Sequence, residues 1–250
     1  MSELRIVGLR GIPEVSPGAD LAALVVAAAA ETGVGLHHHD ILVVTQKIVS
    51  KAEGRLVRVE EIVPSPLAET LGARWGKDPR RIEVVLRESA RIVRMDRGLI
   101  IAETRHGFVC ANAGVDESNV GGDGVLSLLP LDPDASAERL RVGIRERAGV
   151  EVGVIISDTF GRPWRAGLTD VAIGVAGFLP LDDFRGRTDA YGHELRVTTV
   201  AIADELAAAA ELAAGKLAGI PVVLIRGYRA PAGNGNARQL VRPAEDDLFR

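Results

Sequence analysis

Two short apolar runs break off abruptly into polar residues, and this change limits the fold more than any other feature. "ILVVT" (41–45) is β-branched and continuous, which reads as a buried strand, and it passes directly into "QKIVSKAEGR". "VGVIISD" (152–158) behaves the same way and passes into "TFGR". Each is predicted as a core strand whose end opens on a loop or a helix start, where ligand-binding groups collect.

Around these runs the sequence alternates between helix and strand signals. A helix is predicted from Ala19 to Gly33, after the Pro17-Gly18 turn, with Gly33 as its terminator. Ser65-Pro66 and Asp78-Pro79 pair a capping residue with a first-turn proline, predicting helices over Pro66–Trp75 and Pro79–Ser89. Further helices are expected over Ala135–Gly149 and Val200–Gly219. "RIVRM", "LIIAE", "GFVCA" and "IPVVLIRG" read as strands. After Gly161 the texture is irregular, with one strand expected in "TDVAIGVAGFLPL" between polar loops, and the tail is expected to wrap a surface. The expected class is α/β or mixed α+β, one domain over 1–250 with room for two subdomains. Neither a Walker P-loop nor a Rossmann glycine fingerprint is present.

Composition excludes several functions. A net charge of -4 with 4% aromatics lacks the basic, stacking surface of a nucleic-acid binder. The single cysteine, Cys110, cannot form an internal disulfide and fits a reducing compartment. No apolar stretch reaches the length of a membrane span, and "MSELRIVGLRG" has no secretory character, so a cytoplasmic, soluble protein is expected.

Three polar clusters follow strand-like segments: Thr45, Gln46, Lys47, Ser50 and Lys51; Asp116, Glu117 and Asn119 beside Gly121 and Gly122; and Asp158, Thr159, Arg162 and Arg165. Asp116 and Asp158 are oxygen donors suited to a hard divalent ion such as magnesium or manganese, and Thr159 adds a hydroxyl. The lysines and arginines would offset phosphate charge. Taken singly, strand-end aspartates are ordinary turn residues, and Lys47 and Lys51 are an ordinary solvated helix face. Three such clusters in a chain of modest charge favour a site. Histidines 37–39 lack a surrounding ligand framework, Cys110 and Trp75 read as core, and Trp164 lies in a polar loop with a packing or stacking role.

"TQKIVSKAEGR", "ANAGVDESNV", "SDTFGRPWRAG" and "ADELAAAAELAAGK" followed by "GIPVVLIRG" resemble, in order and spacing, the signature segments of the coenzyme F420-0:gamma-glutamyl ligase family. The likeness runs from "GLRGIPEV" to "DLFR". It implies a two-part α/β fold in an intertwined homodimer, with sites near the subunit interface. It implies a GTP-dependent ligase joining L-glutamate to F420-0, a lactyl-phospho deazaflavin, through an acyl phosphate, with further gamma-linked glutamates in some members. Manganese or magnesium, assisted by potassium, would serve as cofactor. A nitroreductase-like domain that some relatives carry after this segment is expected to be absent, whether the chain is a natural single-domain form or a shortened one.

By resemblance Asp116, Asp158 and Thr159 match metal-binding positions, and Asn119 a substrate-contacting one, with Arg162 and Arg165 also expected on substrate. The nucleotide site is expected along Gly11, Ile12, Pro13, Glu14, Thr45, Gln46 and Lys51, and along Ala214, Gly215, Lys216, Leu217, Ala218, Gly219, Ile220 and Pro221. Asp116, Asp158 and Lys51 are the expected catalytic residues. Lys216 stands near a position where some members have a metal-holding glutamine. An ammonium cannot ligate, so either Lys216 contacts phosphate or the metal shell is completed differently. A metal-dependent phosphatase or nucleotidyl transferase, and a binding protein for an anionic cofactor, are the alternatives.

Overall fold

The computed structural model describes residues 3–118 and 121–247. Its centre is a five-stranded sheet in the order β1 (Arg5–Gly8), β12 (Val222–Arg226), β2 (Ile41–Thr45), β8 (Gly153–Arg162) and β9 (Arg165–Ala176). Only β2 and β8 run parallel, with Ile41 opposite Gly153 and Thr45 opposite Ser157; the other pairs are antiparallel. The mixed α/β class follows directly. Both strands read from continuous apolar runs are the inner strands here, and Leu42, Val44, Ile155 and Ile156 are fully buried.

Helices begin where the sequence supplies caps. The Asp20 carboxylate accepts the Ala23 N–H at 3.0 Å to start α1 (Leu21–Glu31). Ser65, Asp78 and Asp132 cap α3 (Pro66–Trp75), α4 (Pro79–Glu88) and α5 (Pro133–Ala148), each with proline in the first turn. Helix α2 (Gln46–Ala52) follows β2 without a break. Helices α5 and α6 (Ile202–Ala214) both pack on β9, and α1 packs on α5. At the start of β2, Asp40 is 1% exposed and takes two bonds from the Arg226 guanidinium, at 2.8 and 2.6 Å, tying β12 to β2 at that edge.

Two smaller apolar clusters lie apart from this core. One joins α3 and α4 to β5 (Leu99–Thr104), which sits between β4 (Ser89–Asp96) and β6 (Val109–Ala111). The other joins α4 to the β3 (Leu56–Arg58) and β7 (Val125–Ser127) pair.

The structure corrects two expectations and adds a strand. The irregular texture after Gly161 is a long hairpin: β8 continues to Arg162, turns at Pro163 and Trp164 (φ 58°), and returns as β9. Its distal half is polar and exposed because it projects beyond the helices, so no burial pattern marked it as strand. Helix α6 runs from Ile202 to Ala214 rather than from 200 to 219, because Val200 pairs in β11 (Thr199–Val200) with β10 (Asp182–Asp183) and Gly215 (φ 63°) stops the helix. Strand β1 had no sequence signal strong enough to be read.

One carboxylate holds α3 against α4. Glu83, a buried residue, accepts the Ser65 N–H at 2.9 Å and the Arg87 Nε–H at 2.8 Å. The Ser65 hydroxyl and then Arg87 pull its pKa down from 4.5 to about 2. A carboxyl depressed on folding stabilises fully above its unfolded pKa and loses that contribution as pH falls through the folded value. Glu83→Gln is therefore expected to cost about 2 kcal/mol at neutral pH. Urea titrations of both proteins should converge as pH is lowered from 4.5 towards 2; a constant gap would show that the carboxylate's charge is immaterial.

Candidate functional site

The ends of β2 and β8 lie side by side because they are parallel, and both open into one cavity of about 740 Å³. Its walls come from five stretches distant in sequence: the loop after β1, the start of α2, the residues around the end of β6, the β8–β9 hairpin, and the turn between α6 and β12. Of the residues expected at a nucleotide, Ile12, Pro13, Glu14, Thr45, Gln46 and Lys51 line the cavity, as do Ala214, Gly215, Lys216, Leu217, Gly219, Ile220 and Pro221. Gly11 and Ala218 are not among the lining residues. Gly11 adopts φ 83°, and a β-carbon there would lie 2.2 Å from the Glu31 carboxylate, so its backbone is pressed against the end of α1.

Asp116, Asp158 and Thr159 also line this cavity. Asp116 is fixed by a short antiparallel bridge to Ser127 at the end of β7, with bonds of 3.1 and 2.7 Å. Its carboxylate accepts the Lys47 ammonium at 2.7 Å, the Ser118 N–H at 2.8 Å and the Ser118 hydroxyl at 2.7 Å. Burial opposes ionisation of Asp116, yet these donors outweigh it and hold the carboxyl below its usual range. Asp158 has the opposite environment. Burial pushes it up to about 7; the Thr159 N–H offsets part of this, and the negative charges of Asp170 and Asp116 add to it.

Thr159 faces Asp170 across the β8–β9 ladder and donates its hydroxyl to Asp170 Oδ1 at 2.7 Å. Ser157 donates to the other Asp170 oxygen at 3.4 Å, and Lys216 Nζ donates to Thr159 Oγ1 at 3.1 Å. A bulge with one extra residue on β9, between Ala172 and Gly174, adjoins this cluster. Asp170 went unread from sequence. Its only signal is a carboxylate inside a strand run, and its partner Thr159 is visible only once the hairpin register is known.

The lysines are anchored as well. Lys51 is 6% exposed and ion-paired with Glu14, and Gln46, also buried, accepts the Ser50 hydroxyl at 2.8 Å. Lys47 donates to the Ser118 carbonyl at 2.6 Å and its hydroxyl at 2.9 Å besides Asp116, so it staples the loop after β6 to α2. Cys110 lines the cavity as a buried thiol pushed up to about 12 by burial, with Asp158 adding to the shift, so it stays protonated and is no nucleophile. Arg162 and Arg165 lie at the exposed end of the hairpin, outside the cavity, with Arg162 donating to the Ala166 carbonyl at 2.8 Å. Asn119 lies outside the described residues.

The donors offered to a metal are all oxygen: two carboxylates that repel one another and a threonine hydroxyl. That set fits a hard divalent ion whose shell is completed by phosphates and water. Among the described residues, no three His, Cys, Asp or Glu side chains gather closely enough to hold a metal unaided.

A family model described as F420-0:Gamma-glutamyl ligase matches residues 10–227. The chain is 50% identical to the coenzyme F420:L-glutamate ligase of Methanothermobacter thermautotrophicus over 99% of both chains. It is 50% identical to the protein of the same name from Methanopyrus kandleri, over 95% of this chain and 94% of the relative. With that of Methanocaldococcus jannaschii it shares 49% identity over 84% of each.

The Lys47 staple can be tested apart from any activity. Lys47→Met should raise amide exchange at Ser118 about tenfold, the equivalent of one lost charge-assisted bond, while exchange in β2 and β8 stays unchanged. Unaltered exchange at Ser118 would mean that the loop holds itself.

Proposed function

This chain belongs to the F420-0:gamma-glutamyl ligase family and is a ligase, and we propose that it joins L-glutamate to F420-0 at the expense of GTP. The observation that carries the reading is the convergence, in one cavity at the ends of β2 and β8, of the nucleotide segments with Asp116, Asp158 and Thr159. The curated relatives are named for glutamate ligation to coenzyme F420.

A carboxylate is a poor acyl donor because it has no good leaving group. In the proposed sequence a carboxylate oxygen of F420-0 attacks the γ-phosphorus of GTP, the bond to the bridging oxygen breaks, and GDP leaves. The glutamate nitrogen then forms a bond to the acyl carbon. The C–O bond to phosphate breaks, and phosphate departs with its electron pair while the nitrogen loses a proton. Further gamma-linked additions would repeat the cycle on the new carboxylate.

Residues of this chain hold the phosphates for that transfer. Lys51 lies at the cavity wall as a buried cation, and Lys216 projects from the α6–β12 turn onto Thr159. Both can neutralise phosphate oxygens as charge moves. Asp116, Asp158 and Thr159 would hold manganese or magnesium, which supplies charge stabilisation to the phosphoryl group when bound; potassium is the proposed assisting ion. Arg162, Arg165 and Asn119 are assigned to substrate. The exposed position of the two arginines is compatible with a homodimer in which the hairpin reaches a neighbouring site.

The deciding experiment mixes the protein with F420-0, L-glutamate, GTP and manganese and follows products by mass spectrometry. A gain of one or more glutamyl units with GDP release is expected, and Asp116→Asn should lower the rate by at least about 100-fold. GTP hydrolysis with no glutamyl product would point instead to a phosphatase.

A further inference from the structure

A second cavity, of about 470 Å³, shares Asn112, Val115 and Asp116 with the first and takes Ile82, Val85, Ile100 and Leu126 from the smaller apolar clusters. None of the nucleotide segments reaches it. Its apolar wall includes the buried Ile82 and Val85 of α4, and its cations are Lys77 and Arg81. Its carboxylates are Asp78, Asp116 and Glu117, ion-paired with Arg80, Lys47 and Arg81 respectively. Lys77 is exposed, donates to the Gly98 carbonyl at 2.6 Å, and is ion-paired with no carboxylate among the described residues. Arg81 is ion-paired with Glu117, the residue next to Asp116. That contact places a guanidinium where it takes a carboxylate immediately beside the expected reaction centre.

We propose that this second cavity is the L-glutamate subsite, with Lys77 and Arg81 receiving the carboxylates and Ile82 and Val85 covering the methylenes. The proposal rests on the ligase reading and names where its amine substrate enters. In the second half-reaction the amine must approach the acyl carbon while phosphate is still attached, and the nucleotide segments occupy the first cavity. The second cavity reaches the same Asp116 by a separate route. Lys77 without a carboxylate partner, and Arg81 exchanging Glu117 for a substrate carboxylate, over an apolar wall match a dicarboxylate on a short hydrocarbon stem. The strained turn at the junction serves both spaces: Asn112, Ala113 and Gly114 are consecutively left-handed, at φ 51°, 52° and 73°. A β-carbon on Gly114 would lie 2.7 Å from Leu129, so the turn is held from behind.

Steady-state kinetics on the full chain with GTP, F420-0, L-glutamate and manganese test the assignment. Lys77→Met should raise the KM for glutamate about tenfold, the loss expected for one charge-assisted bond, and leave the KM values for GTP and F420-0 within twofold. Its melting temperature should not change, since the partner lost is one neutral carbonyl at an exposed site. Lys77→Arg should restore most of the affinity, and Arg81→Gln should move the glutamate KM in the same direction as Lys77→Met. A wild type that makes glutamyl product, with an unchanged glutamate KM in Lys77→Met and Arg81→Gln, would remove the subsite and leave the ligase reading standing. A rise confined to the KM for F420-0 would reassign the cavity to the acceptor and overturn the proposal. A folded wild type that makes no glutamyl product would overturn both.

Discussion

The parallel pairing of β2 with β8 is the constraint on which the rest depends. Parallel strands end on the same edge of a sheet, and the register that sets Thr45 opposite Ser157 brings both polar continuations to one place. From there α2 carries Gln46, Lys47 and Lys51 away on one side, and Asp158 and Thr159 continue along the hairpin on the other. Binding outside the carboxyl ends of parallel strands is a general consequence of such sheets. Here the antiparallel neighbours β12 and β9 flank the parallel pair, and apolar residues of α1, α5 and α6 share its buried core, so the change from apolar to polar falls at the strand ends. A slip of one residue in this register would turn the side chains of β2 to their opposite faces, burying what now lines the cavity.

Electrostatics then separates two carboxylates of the same kind. Asp116 has an ammonium and two Ser118 donors and stays ionised, whereas Asp158 has burial and two negative neighbours. The difference is one of supply. The cations near the cavity are largely committed, Lys47 to the Asp116 loop and Lys51 to Glu14. Positive charge arriving beside Asp158 would therefore meet an unsatisfied demand, as the divalent ion of the proposed reading would.

The sequence made legible what depends on local pattern. Strand β2, the proline-led helices α3 and α4, and the polar clusters at 45–51, 116–119 and 158–159 are all visible as caps, breaks or abrupt changes of polarity. Pairing was not legible. Asp170 acquires meaning only because the β8–β9 register sets it against Thr159, and the hairpin that creates the register is exposed and polar for half its length. Lys47 was visible as a cation near a strand end, but its hold on Asp116 spans 69 residues. The three-residue strand pieces β3 and β7 carry too few residues to show a period, yet β7 supplies Ser127 to the bridge with Asp116 and Leu126 to the second cavity.

Lys216 shows how a departure from a family's pattern can be read from geometry. The Thr159 hydroxyl donates its proton to Asp170 and accepts one from Lys216, leaving one lone pair for a further partner. A metal ion on that lone pair would share an oxygen with the ammonium, and two positive charges so close repel strongly in a partly buried site. An anion between them removes the conflict, and a phosphate oxygen does so with the right charge and size. A glutamine there could ligate a metal directly; on the proposed reading a lysine would make occupancy of the metal position depend on the phosphate arriving with it. On the proposed reading the α6–β12 turn would act on the nucleotide's charge rather than on the metal.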